Sequence, residues 1–319
     1  MAVTLASASP SGTAPILRPF DPSLDSGPGV AGVFQRVFAA VLLVAWASLA
    51  SQVELLAGSE GLAPAADLLA SAREQGLGWL DLPTVFWLGD GDAWLQAGAW
   101  LGMALALLAL CGVRPRTCFA LSAPLYLSYA AVCGEFLAFQ WDNLLIESAL
   151  LAACLPATRP SRLAHFVLRA LLFKLYFESG IAKWQSHLHD WQDGSAMLHY
   201  YETAPLPAAL AFYAHHLPPF VHQLESWGAL LLELPLPFLI WGPRRARSIA
   251  FVALTGFQLV NTATANYGFF TYMTLALHLF LISDTDVDRA RKLLRRTLER
   301  AGVRADRNVS SGSGSGSGS

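Results

Sequence analysis

Four charged side chains interrupt an otherwise mainly apolar stretch of the sequence, residues 163–184: they are Arg169, Lys174, Glu178 and Lys183. Their spacing of five, four and five residues places Lys174 and Glu178 on one face of a helix and turns Arg169 and Lys183 away from it. Ionisable groups in a membrane segment commonly face a bundle interior or a watery cavity, where a desolvated lysine can serve as a base. The alternative is a structural ion pair, with Lys183 extending to the outer membrane interface.

Carboxylates in two other apolar segments are natural partners for these cations. Asp142 and Glu147 lie five residues apart in FQWDNLLIE (139–147), and pairing with the basic side chains would lower the cost of both charges. Paired carboxylates also suit acid–base catalysis, but neutralisation of lysine and arginine is a sufficient reason for their presence. Glu225 and Glu233 are eight residues apart, which puts them on similar faces of a later helix.

A polar, aromatic loop, residues 185–220, follows the charged segment and contains most of the histidines of the chain. Metal binding is disfavoured, because HxH and HH are not established ligand spacings and no cysteine lies nearby. We interpret the loop as the roof of a binding site in which histidines pack among tyrosines and tryptophans. The binding candidates of the whole sequence are Lys174, Trp184, Trp191, His199, Tyr200, Tyr201, Glu202, His215, Glu233, Gln258, Asn266 and Tyr267.

Amides and hydroxyls cluster where the last two apolar segments meet, in GFQLVNTATANYGFFTYM (256–273). For Gln258 and Asn261, hydrogen bonding between helices is a more ordinary role than ligand contact. Asn266 and Gly268 are the residues that we expect to adopt a positive φ in the tight turn.

The composition is that of a multi-span membrane protein: of 319 residues, 54% are hydrophobic and 14% are charged, and the mean hydropathy is +0.43. A span needs about 20 mostly apolar residues. The sequence therefore predicts an all-α fold, a polytopic membrane helical bundle with about eight transmembrane helices. The predicted spans are residues 33–53, 93–112, 117–134, 137–156, 163–184, 221–241, 247–264 and 267–283.

Basic residues concentrate in alternate loops and after the last span, whereas the intervening loops are mainly acidic. By the positive-inside rule, both termini are cytoplasmic and residues 185–220 face the exterior, the periplasm or an ER lumen. The other outer loop, residues 54–92, contains the amphipathic stretch ADLLASAREQGL, which predicts a short helix along the membrane interface. We divide the chain into a disordered tail (1–32), the membrane domain (33–284), a basic cytoplasmic helix (285–309) and a Gly/Ser linker or tag (310–319).

Several classes of function lack their signatures in this sequence. Cys111, Cys118, Cys133 and Cys154 lie in or beside apolar segments, which argues against a disulfide framework or a zinc site. The sequence has no Walker A loop, no dinucleotide-binding glycine motif and no GxSxG. Anionic lipid explains the basic tail better than nucleic acid does. A transporter is disfavoured because no internal repeat is visible.

Seven sequence features occur in one order along the chain: FQWDNLLIE (139–147), GIAKW (180–184), WQDGSAMLHYYETAPLP (191–207), HHLPP (215–219), Glu233, RRAR (244–247) and TANYGFF (264–270). In this order and with similar spacing, they resemble the lipase maturation factor family. The resemblance covers most of residues 86–284 and implies a multi-span protein, found in the ER membrane in animals and with bacterial relatives, that assists the folding or assembly of secreted lipases. That family is distantly similar to the horizontally transferred transmembrane domain that includes the vitamin K-dependent carboxylase. Its members typically continue into a soluble, largely β domain, and the animal members have a cysteine in the segment that matches 191–199, where this chain has none.

Two functions follow from this resemblance. The first is a membrane maturation factor or chaperone without enzyme activity, whose outer loops hold an exported client such as a lipase. The alternative is a membrane-embedded, carboxylase-like enzyme that acts with a quinol or a lipid. In that alternative, Lys183, Glu178, Asp142 and Glu147 would carry the acid–base chemistry. No resident cofactor is expected for the maturation factor.

The resemblance and the composition also imply partners and a location. The expected partners are the lipid bilayer, an exported client protein and a second copy of the chain. A bias toward alanine, leucine and arginine favours a bacterial inner membrane, and a eukaryotic chain would lie in the ER membrane. Both functions require charged side chains of neighbouring helices to gather in one shielded pocket beneath the outer surface. We therefore expect Asp142, Glu178 and Lys183 to share that pocket, with residues 185–220 as its roof.

Overall fold

The computed structural model describes residues 27–204 and 208–312, and within these ranges the chain is helical, with no extended strand. The all-helical class is therefore confirmed. Short 3₁₀ helices cover Val85–Leu88, Gly134–Leu137, Leu236–Trp241 and Leu279–Leu281. The α-helices are α1 (Pro28–Ala57), α2 (Ala65–Glu74), α3 (Asp92–Leu110), α4 (Pro115–Cys133), α5 (Gln140–Cys154), α6 (Arg162–Trp184), α7 (Asp190–Asp193), α8 (Ala196–Thr203), α9 (Ala211–His215), α10 (Pro219–Glu233), α11 (Arg244–Thr264), α12 (Phe270–His278) and α13 (Asp284–Gly312).

Four helical segments of the described chain are long and apolar enough to cross a membrane: Pro28–Ala57, Asp92–Leu110, Pro115–Leu137 and Pro219–Trp241. They overlap the predicted spans that begin at residues 33, 93, 117 and 221. The other four predicted spans also coincide with helices, α5, α6, α11 and α12. Of these, α5 has only 15 residues, α6 and α11 contain several charged or polar side chains, and Phe270–Leu281 is a shorter apolar segment. Hydropathy and helix length together identify an integral membrane protein.

The first helix, α1, packs its aromatic face against α3 and α4. The indole Nε1 of Trp46 donates a hydrogen bond of 2.8 Å to Oγ of Ser122, and its ring packs edge-on against the rings of Tyr126 and Tyr129. A Cβ on Gly102 of α3 would lie 2.3 Å from the ring of Trp46. Glycine at this position therefore allows α3 to approach α1 closely.

One carboxylate ties the start of α13 to the start of α1. Asp284 accepts hydrogen bonds from the backbone N–H groups of Gly27, Gly29 and Val30 at 3.1, 3.0 and 2.8 Å. Amides in the first turn of a helix lack intrahelical partners, and a negative group there also offsets the positive end of the helix dipole. The two helix N termini consequently lie side by side at one end of the bundle.

Residues 54–92 contain the helix predicted from ADLLASAREQGL, which is α2. The buried face of α2 consists of Ala65, just before that stretch, and Leu69 and Ala72 within it. Two boundaries differ from the sequence-based division. Helix α1 begins at Pro28, within the segment assigned to the tail, and α13 extends to Gly312, into the segment assigned to the linker. Residues 1–26, which are predicted to be disordered, and residues 313–319, the rest of the linker, lie outside the described residues.

Candidate functional site

Lys183, near the end of α6, forms an ion pair with Glu233, the last residue of α10. The Nζ atom of Lys183 lies 2.8 Å from Oε1 and 2.6 Å from Oε2 of Glu233, whose side chain is only 6% exposed. The ammonium group also lies 5.2 Å from the ring centroid of Trp191, within the range of a cation–π contact. The buried carboxylate of Glu233 therefore has a partner, which offsets the cost of removing its charge from water.

The local sequence explains why these two residues meet. Pro235 lacks the backbone N–H that would continue α10, so the α-helix ends at Glu233 and a 3₁₀ helix follows. Gly180 lies about one turn before Lys183 on α6. A Cβ at this position would lie 2.9 Å from side-chain atoms of Leu234 and 3.0 Å from the carbonyl carbon of Glu233. The glycine therefore permits the close approach of α6 and α10 that the ion pair requires.

The ion pair forms one wall of a cavity of about 310 Å³, which we call the outer cavity. Its volume lies at the lower end of the range for small-molecule sites. Side chains from α6, α7, α8, α10, α11 and the turn before α12 form its walls, and most of these side chains are aromatic or aliphatic. Six residues predicted from the sequence line it: Lys183, Trp191, Tyr200, Tyr201, Glu233 and Tyr267.

Two tyrosines of α8 line the outer cavity from the roof, residues 185–220. The hydroxyl of Tyr200 is hydrogen-bonded to the hydroxyl of Tyr267. The hydroxyl of Tyr201 donates to Oε1 of Glu225 at 3.4 Å. Burial, followed by the negative charge of Glu225, raises the pKa of the Tyr201 phenol to about 12. Both contacts place neutral hydroxyls, which can donate or accept hydrogen bonds, on an otherwise apolar wall.

Two histidines, His215 and His222, connect the roof to α10. Oε2 of Glu225 lies 2.9 Å from Nδ1 of His222, and Nε2 of His222 lies 3.3 Å from the backbone oxygen of His215. The Nε2 atom of His215 in turn lies 3.6 Å from Oε1 of Glu202. These contacts join α8, α9 and α10. His199 is exposed and does not line the outer cavity.

A second charged cluster lies on a different face of α6. The Nζ atom of Lys174 lies 2.7 Å from Oε1 of Glu147 on α5, which confirms the predicted pairing between Glu147 and a cation of residues 163–184. Lys174, Glu147 and Glu178 line a cavity of about 290 Å³ between α5 and α6. The side chains of the pair are 46% and 40% exposed. The prediction that Lys174 and Glu178 lie on the same face of one helix is also confirmed, because both line this cavity.

Asp142 lies apart from both clusters. It is buried between α4 and α5, where its Oδ1 accepts a 2.7 Å hydrogen bond from the hydroxyl of Tyr126. The expectation that Asp142, Glu178 and Lys183 share one pocket is therefore wrong. Lys183 follows Glu178 by five residues, which turns the two side chains about 140° apart on α6. Asp142 is on α5 and faces α4 instead of α6.

The predicted amides have mainly structural roles. Nε2 of Gln258 donates a 3.1 Å hydrogen bond to the hydroxyl of Tyr176, which lies 2.9 Å from Nε2 of His278, so the predicted interhelical role of Gln258 is confirmed. Oδ1 of Asn266 accepts from the backbone N–H of Gly268 at 3.2 Å. Gly268 has the predicted positive φ, 55°, but Asn266 does not. The side chain of Asn266 stabilises the turn as an acceptor.

The sequence analysis missed several groups around the outer cavity. Phe257 was not considered, and Asn261 was given an interhelical role instead of a place in the cavity. Both line the cavity from one face of α11, and their spacing of four residues is the signal that could have identified them. Gly180 lies within the GIAKW motif, but its role depends on the packing of α6 against α10. Trp184, which was a binding candidate, is 52% exposed and does not line the outer cavity.

Within residues 27–204 and 208–312, no group of three histidine, cysteine, aspartate or glutamate side chains could hold a metal ion. The arrangement of the outer cavity instead suits a ligand that is mainly aromatic or aliphatic and has a few hydrogen-bonding groups.

Comparison with known proteins places these features in a family. The family model of the lipase maturation factor transmembrane domain matches residues 30–289. The chain belongs to the lipase maturation factor family. The match includes both charged clusters and the outer cavity.

Individual family members support the same assignment. The chain is 38% identical over 281 residues to lipase maturation factor 2 of Rattus norvegicus and 36% identical over 282 residues to that of Homo sapiens. Both alignments include 79% of this chain but only 40% of the relative. Lipase maturation factor 1 of Homo sapiens is 28% identical over 272 residues, which represent 79% of this chain and 48% of the relative. The chain thus spans less than half the length of these relatives, and no solved structure matches it significantly.

Proposed function

We propose that this protein is a membrane maturation factor that holds a segment of an exported client, such as a lipase, at its outer surface. Its relatives are named as lipase maturation factors. The observation that carries the proposal is the outer cavity, whose aromatic and aliphatic walls suit a large apolar side chain of an incompletely folded peptide. The hydroxyls of Tyr200 and Tyr267 and the amide of Asn261 could hydrogen-bond to the backbone of such a peptide.

The geometry of Lys183 supports binding rather than base catalysis. A general base needs an available lone pair within reach of the proton that it removes. Nζ of Lys183 lies within hydrogen-bond distance of both carboxylate oxygens of Glu233 and faces the ring of Trp191, as expected for an ammonium group. The other residues of the enzymatic alternative, Glu178 and Asp142 among them, lie outside the outer cavity. A quinol or lipid remains the ligand that this alternative would require.

An exposed apolar surface beside the roof offers a docking place for the rest of the client segment. Tyr201 packs against Ala211 and Ala214 of α9, which joins this surface to the outer cavity. Exposed apolar patches of this kind commonly mark protein-binding sites. The exposed residues of α9 and its flanks are Leu210, Phe212, Tyr213, Leu217 and Phe220.

The proposal includes a finer topology and location. The eight helices α1, α3, α4, α5, α6, α10 with its 3₁₀ extension, α11 and α12 would cross the bilayer, with both termini in the cytoplasm. Arg36 in the first third of α1 and the arginines at the start of α4, α6 and α11 support this orientation. The outer cavity would then open toward the periplasm or the exterior of a bacterial inner membrane. A homodimer stays a prediction of the family resemblance.

Filling the outer cavity without disturbing the helices tests the proposal. Gly228 on α10 lines the cavity, and a Cβ there meets no atom within 4 Å, so Gly228→Leu should fill the cavity without a clash. Gly256→Leu on α11 is a matched control, because a Cβ at Gly256 also meets nothing within 4 Å and the residue does not line the cavity. Each variant is co-expressed with an exported lipase and carries a photo-crosslinking amino acid in place of Phe212.

We expect Gly228→Leu to lower both the lipase–maturation factor adduct and the secreted lipase activity by about tenfold, equivalent to roughly 1.4 kcal/mol of client binding. Gly256→Leu should retain both. Equal adduct and equal activity in the two variants would refute the proposal. A quinone or lipid that co-purifies with the wild-type protein, and is lost only in Gly228→Leu, would support the enzymatic alternative instead.

A further inference from the structure

A large basic cavity lies at the end of the bundle where α1 and α4 begin and α3 and α5 end. Its volume is about 1030 Å³, and we call it the basic cavity. Four arginines line it, and the described residues that line it include no carboxylate. The outer cavity lies at the other end of α6, so the two sites are separate. The four arginines are Arg36, Arg114, Arg116 and Arg291.

The hydrogen-bonding groups of these arginines are largely available. Arg116 uses its Nε for a 2.7 Å hydrogen bond to the backbone oxygen of Ala153, and Arg291 lies 3.8 Å from Asp288. Arg36 and Arg114 have no hydrogen-bond or ion-pair partner through their side chains in the described part of the chain. The cavity therefore contains uncompensated positive charge, and two of its guanidinium groups retain their full donor capacity.

Helix α4 adds to the positive potential. Its first residues, from Arg114 to Thr117, line the basic cavity, so the positive end of the dipole of this 19-residue helix is directed at the same space. The N terminus of α1 does not compete for an anion, because the carboxylate of Asp284 already occupies its first amides. An anionic ligand would consequently be held by the arginines and the start of α4.

We propose that the basic cavity binds the phosphate-bearing headgroup of an anionic lipid. Guanidinium groups bind phosphate through paired hydrogen bonds, and basic pockets between membrane helices suit lipid headgroups. Helices α1, α3 and α4, which surround the site, are among those apolar enough to span a bilayer, so the acyl chains would lie against them. The volume slightly exceeds the range of about 300–1,000 Å³ for small-molecule sites, which fits a headgroup with its glycerol better than a single free phosphate.

Competition between two lipids tests the proposal. The full chain is purified in detergent, mixed with equal amounts of phosphatidylglycerol and phosphatidylcholine, and examined by native mass spectrometry. The test variant is Arg36→Gln with Arg114→Gln, which removes the two unpaired guanidinium groups and leaves the Arg116 contact intact. The control is Arg162→Gln with Arg245→Gln, which removes the same charge from exposed positions at the start of α6 and α11 that do not line the cavity.

The wild-type protein and the control should retain phosphatidylglycerol in preference to phosphatidylcholine. The test variant should retain about tenfold less phosphatidylglycerol, since one charge-assisted hydrogen bond is worth at least that factor. Equal loss in the test variant and the control, or no preference between the lipids, would overturn the proposal. A second arm adds inorganic phosphate to lipid-free protein. The lipid assignment would be overturned if phosphate alone raises the melting temperature of the wild-type protein but not of the test variant, and neither lipid is retained. The ligand would then be a soluble phosphate.

Discussion

Lys183 and Glu233 are fifty residues apart in the sequence, yet one ammonium nitrogen lies within 2.8 Å of both oxygens of one carboxylate. The two partners are not equally enclosed, because the side chain of Lys183 is 24% exposed and that of Glu233 is 6% exposed. The pair therefore joins α6 to α10 with a charge on α10 that has little access to water. Because of this difference, removal of one partner should change the free energy of unfolding more than removal of the other.

Removal of the lysine should consequently cost more than removal of the carboxylate. Lys183→Met leaves the buried Glu233 without its partner, and we expect it to lower the free energy of unfolding by about 3 kcal/mol. Glu233→Gln leaves an ammonium that can turn toward water, and the expected loss is about 1 kcal/mol. Unfolding in mixed detergent micelles measures both values.

The double variant Lys183→Met with Glu233→Gln provides the internal control. Because it leaves no buried charge, it should be more stable than Lys183→Met alone. If the losses of the two single variants are equal and add in the double variant, the two side chains do not interact energetically, and the ion pair is not the contact that joins α6 to α10.

Gly180 should tolerate no side chain. A Cβ at this position would lie 2.9 Å from Leu234 and 3.0 Å from the backbone of Glu233, so Gly180→Ala should separate α6 from α10 and lower the free energy of unfolding by about 1–3 kcal/mol. Gly256→Ala on α11 is the control, because its Cβ meets nothing within 4 Å. Alanine is the better helix former, so the control should be slightly stabilised, by about 0.5–1 kcal/mol. Similar melting temperatures for the two variants would show that the helices do not approach as closely as the structure indicates.

The helices themselves were largely predictable. Long apolar runs bounded by arginine, proline and glycine located α1, α3, α4 and α10, because burial in a bilayer demands such runs. The stretch ADLLASAREQGL located α2 through its amphipathic repeat. The family was equally accessible, since FQWDNLLIE, GIAKW and TANYGFF combine polar and aromatic residues in an order that few membrane proteins share.

The grouping of the charged residues was less accessible from the sequence. The opposite faces of Lys174 and Lys183 follow from their nine-residue spacing, but the helix that packs on each face does not. Glu147 meets Lys174 and Glu233 meets Lys183 only because α5 and α10 flank α6. The contact between Asp142 and Tyr126 likewise depends on how α4 packs against α5. Helix periodicity assigns side chains to faces, whereas long-range packing decides which side chains they meet.

High pH should destabilise the roof of the outer cavity through Tyr201. The pKa of its phenol is raised from 10.0 to about 12 by burial and by Glu225, so the folded chain binds more protons than the unfolded chain between these pH values. Stability should therefore fall as pH rises through that window. Tyr201→Phe should reduce the slope of unfolding free energy against pH above pH 10, relative to the wild-type protein. Tyr213→Phe, which removes an exposed phenol, is the control, and an identical slope for the wild-type protein and Tyr201→Phe would refute the prediction.

Thiol labelling tests the orientation of the bundle. Cys111 and Cys154 are exposed at the basic end, where α3 and α5 finish, whereas Cys118 and Cys133 are buried. Leu188, which is 79% exposed, lies in the outer loop, residues 185–220, so Leu188→Cys supplies a thiol at the other end of the bundle. With a membrane-impermeant maleimide and intact spheroplasts, Leu188→Cys should be labelled, whereas Cys111 and Cys154 should react only after permeabilisation, because arginine-rich loops stay in the cytoplasm. Labelling of Cys111 and Cys154 from outside, with protection of the thiol at position 188, would reverse the topology and place the outer cavity on the side where no exported client passes.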